Sequence, residues 1–223
     1  MTAVGSAIAD ALPVKPRLRG VFHQYAFFVS LACGAGLIVA ASDGKARLAA
    51  IIYALAVSGL LGTSALYHRV TWRPKARRWM RRLDHSMIFV LIAGTYTPVA
   101  LLALKGGLAT TILILMWAGA LGGVIFKLAW IDAPKWLFAL VYVVLGLVTA
   151  TVFGELPARI GWLGAAGIAA GGLLYTIGAV IYASGRPNPW PKVFGYHEVF
   201  HSLVLAAAGL HYAVIAFAVL PHG

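Results

Sequence analysis

Two histidines open the last long apolar segment of the chain, in the sequence His197-Glu198-Val199-Phe200-His201. Residues four apart lie on one face of a helix, so both imidazoles can bind the same metal ion. The segment also reads as His-Glu-x-x-His, the signature of zinc metalloproteases in which the glutamate is the general base. The first candidate chemistry is therefore zinc-dependent hydrolysis, and this motif alone leaves the class of hydrolase open.

The composition around these histidines is that of a membrane protein, because 61% of the 223 residues are hydrophobic and only 11% are charged. A bilayer is crossed by about 20 apolar residues in a helix. This length predicts seven transmembrane helices, near residues 21–41, 49–68, 84–104, 108–126, 136–153, 162–182 and 197–220. We therefore expect an all-α polytopic membrane protein, with a single seven-helix domain at 21–220 between tails at 1–20 and 221–223.

The basic residues predict the orientation of this bundle. Of the 18 Lys and Arg residues, 14 lie in the N-terminal tail or in the loops after the second, fourth and sixth spans, and 4 lie in the remaining loops. Positively charged loops remain on the cytoplasmic side. We expect a cytoplasmic N terminus, an external C terminus and, in a bacterium, a place in the inner (plasma) membrane.

Seven of the basic residues lie between Arg69 and Arg82. A net charge of +12 would suggest nucleic acid as a partner of a soluble chain, but the membrane topology explains this cluster without nucleic acid. Pro74 is expected to start a short interfacial helix here, with anionic lipid of the cytoplasmic leaflet as its partner. The sequence gives no indication of the oligomeric state.

The predicted topology brings polar residues of three spans to one depth on the cytoplasmic side. Span 2 ends with Ser64 and His68, span 3 begins with Asp84, and span 7 begins with His197 and His201. Ionisable groups at membrane depth are costly and therefore need mutual partners. Three imidazoles would supply the ligands of a catalytic zinc ion and leave one position for water.

The two acidic residues near the histidines could also have purely structural roles. Asp84 could serve as an acid in the first turn of a helix or pair with Arg81 or Arg82. Glu198 could likewise face Arg186 or Lys192 from the first turn of its helix.

The remaining polar residues also have ordinary structural roles open to them. Ser64 could bond to its own helix backbone. His85 points about 100° away from Asp84 on a helix. The lone histidines His23, His211 and His222 are expected near lipid headgroups or hydrogen-bonded within the bundle.

Three ordered motifs resemble the haemolysin III branch of the progestin and adipoQ receptor family: Ser64-xxx-His68, Asp84 at the start of the third span, and His197-xxx-His201. The run at 93–98, Ala-Gly-Thr-Tyr-Thr-Pro, is similar to that branch as well, and the resemblance covers roughly residues 18–220. It implies a zinc ion bound by His68, His197 and His201, with Asp84 and Ser64 beside the water on the metal.

The animal receptors of this family and the related alkaline ceramidases suggest hydrolysis of a lipid amide. The name of the bacterial members refers to cell lysis, while membrane-lipid homeostasis has also been proposed for them. The resulting hypothesis is a zinc-dependent hydrolase that cleaves a ceramide-like membrane lipid from the cytoplasmic leaflet. Zinc would lower the pKa of a water toward about 7, Asp84 would orient or deprotonate that water, and Ser64 would donate to the developing oxyanion.

Three alternatives accompany this hypothesis: a noncatalytic, zinc-stabilised membrane sensor, an intramembrane zinc protease and a haemolysin-type pore. The protease would use Glu198 as its base and Asp84 as its third ligand, which leaves the pairing of Ser64 and His68 unexplained. A pore has little support, because spans this apolar show no polar stripe that could line a wide water channel.

Overall fold

The computed structural model describes residues 15–42 and 44–222. Within these residues, seven helices are long and apolar enough to cross a membrane. We number them α1 to α7 in chain order: Val21–Ala40, Gly44–Arg69, Pro74–Ala103, Gly106–Ala129, Lys135–Val152, Leu156–Ser184 and Tyr196–Val219. The described residues contain no β-strand, and the prediction of an all-α bundle with seven spans is confirmed. Residues 1–14 of the predicted N-terminal tail, Asp43 and Gly223 lie outside the described residues.

Consecutive helices pack side by side, and α1 also packs against α7. The most buried helices are α2 and α3, which therefore lie at the centre of the bundle. The residues at 69–74, 129–135 and 184–196 join helices at the same end of the bundle, and we call this the basic end. It is the end that the distribution of Lys and Arg predicts to be cytoplasmic.

The first turns of α3 are not a separate interfacial helix, which corrects the prediction made from Pro74. Pro74 does occupy the first turn, but the helix continues without interruption through the membrane span to Pro98. The basic turns instead bind the end of α4: Arg82 Nε donates to the carbonyl oxygen of Leu128 at 3.0 Å. The guanidinium of Arg82 also lies over the ring of Trp79, 5.2 Å from its centre.

Two helices widen into π-helical turns at the end of the bundle opposite the basic end. In α3 the π turns cover Val99–Ala103, directly after Pro98, and in α7 they cover Ile215–Val219. Proline lacks the backbone N–H that an α-helical turn would use, so the hydrogen-bond pattern changes at this point. The two π segments contact each other, so α3 and α7 change their winding at the same depth.

A glycine-dependent contact holds α2 and α3 close together. A methyl group added at Gly94 would collide with Cβ of Ala56, and neither atom belongs to a flexible side chain. This close approach fixes the distance between the helix that carries His68 and the helix that carries Asp84.

Gly94→Ala is expected to destabilise the protein, because α2 and α3 would have to separate. Overpacking of this kind costs about 1–3 kcal/mol of unfolding free energy. The measurement is thermal unfolding of the purified protein in detergent. Gly122→Ala is the matched control, since its methyl group would meet nothing within 4 Å. Equal melting temperatures for the two variants would contradict the role assigned to Gly94.

Candidate functional site

Three histidine side chains converge at the basic end of the bundle. His68 lies in the last turn of α2, and His197 and His201 lie in the first two turns of α7. The Nε2 atoms of His68 and His197 are 3.2 Å apart, and one ring nitrogen of each histidine lies within 4.8 Å of those of its two neighbours. All three side chains are buried.

The chemistry and spacing of these nitrogens fit a zinc ion. Tetrahedral zinc at about 2.0–2.1 Å from each imidazole holds its nitrogen ligands about 3.3 Å apart. The 3.2 Å separation of the His68 and His197 nitrogens agrees with that value. Among the described residues, this is the one cluster of three or more potential metal ligands.

Asp84 and Ser64 lie beside the histidine cluster. Asp84 Oδ2 is 3.7 Å from His68 Nε2, and the Ser64 hydroxyl is a hydrogen-bond partner of the Asp84 carboxyl group. Asp84 is not a member of the group whose ligand atoms all lie within 4.8 Å of one another. The alternative pairing of Asp84 with Arg81 is not observed, because Arg81 Nη1 binds Asp132 Oδ1 at 2.8 Å.

The Glu198 side chain makes structural contacts and does not line the cavity described below. Its Oε1 accepts a hydrogen bond from Arg19 Nε, and its Oε2 accepts one from the backbone N–H of Gly195 at 2.8 Å. The prediction that Glu198 faces Arg186 or Lys192 was wrong. Both carboxylate oxygens of Glu198 are occupied and the side chain is 1% exposed, so the residue is poorly placed to act as the general base of a protease.

The N-terminal segment, residues 15–23, is a fourth element of the site that sequence reasoning missed. The backbone N–H groups of Arg17 and Leu18 donate to the carbonyl oxygens at 192 and 193, each at 3.1 Å. Lys15 Nζ donates to the carbonyl oxygen of His68. Partial burial, followed by the charges of Arg69 and Arg19, lowers the pKa of Lys15.

His23, in the first turn of α1, stacks directly on His201. The ring centroids are 3.8 Å apart and the planes differ by 8°. Gly20 makes this approach possible, because its φ of +78° suits glycine and a side chain there would meet Cβ of His68 at 2.5 Å,. The sequence places His23 at the predicted cytoplasmic depth, which is compatible with a place in the site. A lone histidine at that depth is equally compatible with a contact to lipid headgroups.

The histidine cluster opens onto a cavity of about 650 Å³ inside the bundle. His197, His201, Asp84 and Ser64 line its basic end, while Tyr96 of α3 lies farther inside. Asp84 and Tyr96 are twelve residues apart on one helix, a rise of about 18 Å. The walls between them are mainly apolar. The cavity therefore suits a long apolar ligand with a polar group at the histidine cluster.

Comparisons with known proteins agree with the resemblance seen in the motifs. Residues 13–212 match the family described as "Haemolysin-III related". The chain is 34% identical over 183 residues to the "Hemolysin-3 homolog" of Bacillus subtilis, covering 81% of this chain and 83% of that protein. It is 31% identical over 206 residues to the "Hemolysin-3" of Bacillus cereus, covering 91% of each.

A similarity of 27% identity over 199 residues links the chain to the human "Monocyte to macrophage differentiation factor", with 86% of this chain and 80% of that protein covered. No solved structure matches the chain significantly.

Purified protein is expected to contain about one zinc ion per chain, because three imidazoles converge and the ring nitrogens of His68 and His197 are 3.2 Å apart, as in a tetrahedral zinc site,. His197→Ala and His68→Ala should each lose the metal, as measured by elemental analysis. His211→Asn is the control, since His211 lies on the same helix and binds the carbonyl oxygen of Ile168 at 3.1 Å. Metal loss in all three variants, or none in the histidine-cluster variants, would contradict the assignment.

Arg19 and Glu198 are expected to stabilise the protein as a coupled pair. Each single change, Arg19→Met or Glu198→Gln, should lower the unfolding free energy by about 1.5–3 kcal/mol, because it leaves a largely buried partner without its charged hydrogen bond. The double variant should lose less than the sum of the single variants. Thermal unfolding in detergent measures this coupling, and Arg17→Met serves as the exposed control. Strict additivity would disprove the pairing.

Proposed function

Because the chain belongs to the haemolysin III branch of the progestin and adipoQ receptor family, we propose that this multi-pass membrane protein is a zinc-dependent hydrolase of a membrane lipid amide. In bacteria, such a protein resides in the inner membrane. The observation that carries the proposal is the position of the histidine cluster and Asp84 at the polar end of a long apolar cavity. A ceramide-like lipid has the matching form, with a polar amide at one end of an acyl chain.

The substrate would enter with its amide at the basic end and its acyl chain along α3. The apolar walls between Asp84 and Tyr96 would hold the chain by burying its surface,. The same walls exclude bulk water from the reacting bond. If the basic end faces the cytoplasm, as the distribution of charge predicts, the lipid comes from the inner leaflet.

The chemistry is divided between the three ligands and two neighbouring side chains. Zinc held by His68, His197 and His201 would supply a Lewis acid for the amide carbonyl and a water of lowered pKa. Asp84 lies 3.7 Å from His68, near enough to accept the proton of the attacking water and to return it to the leaving amine. Ser64, the hydrogen-bond partner of Asp84, would orient this carboxylate or donate to the developing oxyanion.

A noncatalytic, zinc-stabilised sensor is the second candidate. The 3.7 Å distance between Asp84 and His68 would allow a small movement to bring the carboxylate onto the metal as a fourth protein ligand. Structural zinc sites are closed in this way, whereas catalytic sites keep an open position. The metal ion would then link α7 to α2 and α3 and stabilise the bundle.

A protease and a pore have less support from the geometry. A protease would need a free Glu198, whose two oxygens are engaged by Arg19 and Gly195. A pore, as the name of the Bacillus cereus relative suggests for that protein, would need a water-lined passage, while the cavity here is mainly apolar,.

Anionic lipids are the proposed partners of the outer face of the basic end. Exposed basic side chains there include Arg73, directly before α3, and Lys75, Arg77 and Arg78 in the first turns of α3. Each basic residue near an anionic leaflet contributes about 1 kcal/mol to such binding.

Asp84→Asn is expected to lower the rate of lipid amide hydrolysis about 100-fold or more, because the amide cannot accept the proton of water. Zinc content should remain unchanged. Ser64→Ala should also slow the reaction, and Ser86→Ala is its control, since Ser86 is a buried serine of α3 that does not line the cavity.

The measurement is release of fatty acid from ceramide in detergent micelles, with zinc content determined on the same samples. Loss of zinc from Asp84→Asn would favour the sensor. An unchanged rate in Asp84→Asn would remove Asp84 from the mechanism.

A further inference from the structure

Basic side chains from three helices line the basic end of the cavity, apart from the histidine cluster, and we call the part of the cavity that they line its mouth. They are Arg81 of α3, Lys127 of α4 and Lys135 of α5, and His85 lies among them. Arg81 pairs with Asp132, whose side chain is 76% exposed. Among the described residues, neither lysine has a carboxylate within ion-pair distance, so the mouth carries an excess of positive charge.

Lys127 is the most unusual member of this group, because it is 3% exposed. Its Nζ lies 3.4 Å from the centre of the Phe138 ring, and its hydrogen bond to the carbonyl oxygen of Ile131 is 3.5 Å long. A buried ammonium group without an anionic partner is costly. An anion at the mouth of the cavity would offset that cost.

His85 and Lys135 offer further donors to the same space. The Nδ1 atom of His85 is buried and has no hydrogen-bond partner among the described residues. Lys135 Nζ donates to the Tyr196 hydroxyl at 3.0 Å and is otherwise flanked by the rings of Tyr182 and Tyr196, at 5.5 and 5.1 Å. Neither contact neutralises its charge.

The group lies close to the histidine cluster but is separate from it. The ring of Tyr182 is 6.3 Å from that of His85 and 5.8 Å from that of His197. One aromatic side chain therefore separates the two sites. A single lipid molecule could place a headgroup at the cationic mouth, its amide at the histidines and its chain in the apolar interior.

We propose that Arg81, His85, Lys127 and Lys135 form a binding site for the phosphate headgroup of an anionic lipid. Several donors that line one cavity match the several acceptor oxygens of a phosphate, and charged donors strengthen these bonds. This inference rests on the proposed function in one respect: if the protein is a lipid amide hydrolase, its preferred substrate is a phosphorylated amide lipid rather than a neutral one. The binding itself does not require hydrolysis.

The experiment compares lysophosphatidic acid with the monoacylglycerol of the same chain length, which lacks the phosphate, binding to the full-length protein in neutral detergent. Thermophoresis gives the Kd of each lipid. Lys127→Met should weaken binding of lysophosphatidic acid about tenfold, the loss expected for a hydrogen bond between charged groups. Lys192→Met is the matched control, since Lys192 is exposed on the basic end and does not line the cavity. Binding of the monoacylglycerol should change in neither variant.

A second variant tests the proposal if replacement of the buried Lys127 disturbs folding. Lys135→Met changes an exposed residue, and it should also weaken binding of lysophosphatidic acid. Equal losses in Lys192→Met and Lys127→Met would indicate nonspecific attraction to the basic end and overturn the proposal. Inorganic phosphate should compete only weakly with lysophosphatidic acid. Competition as strong as that of the lipid itself would mean that the site binds free phosphate rather than a lipid headgroup.

His197→Ala separates this inference from the proposed hydrolase. The variant should lose zinc but keep its affinity for lysophosphatidic acid. If wild-type protein binds that lipid selectively and hydrolyses no lipid amide, the proposed function fails while the headgroup site stands. Hydrolysis of neutral and phosphorylated amide lipids at equal rates, without selective binding, would disprove the headgroup site alone.

Discussion

The organisation of the basic end follows from the cost of burying ionisable groups among apolar helices. His68, His197, His201 and Asp84 are all buried, and at membrane depth each must be neutral, paired or bound to a cation. A shared metal ion would satisfy the imidazoles together. Glu198 meets the same requirement differently, because Arg19 from outside the first span supplies its counter-charge. The apolar surroundings thus decide which polar groups must come together.

Much of this arrangement could be predicted from the sequence because it depends on one-dimensional facts. Apolar runs fix the number of spans, and alternating direction fixes which helix ends share a side of the membrane. The end of α2 and the starts of α3 and α7 were therefore expected on the same side of the membrane, and in the structure Asp84 does lie beside the histidines. The helical period placed His197 and His201 on one face.

Features that depend on three-dimensional detail could not be predicted in this way. The stacking of His23 on His201 requires a particular rotation of α1, and the partner of Glu198 is 179 residues away in the chain. The length of α3 was also misjudged, since Pro74 permits a helix to begin but says nothing about where it ends. Lys127 counts as a loop charge in the sequence, whereas packing buries it beside Phe138.

The contacts of the N-terminal segment have a consequence for how the protein is made. Residues 17 and 18 bond to 192 and 193, just before α7, and Arg19 binds Glu198 of α7. The residues before α1 therefore complete their contacts only after α7 and the loop before it have been synthesised. His68 of α2 can likewise contact His197 and His201 only after α7 has been inserted. Any metal ion that the histidine cluster binds can therefore be acquired only after α7 has been inserted, and a nascent chain arrested before α7 has no assembled cluster.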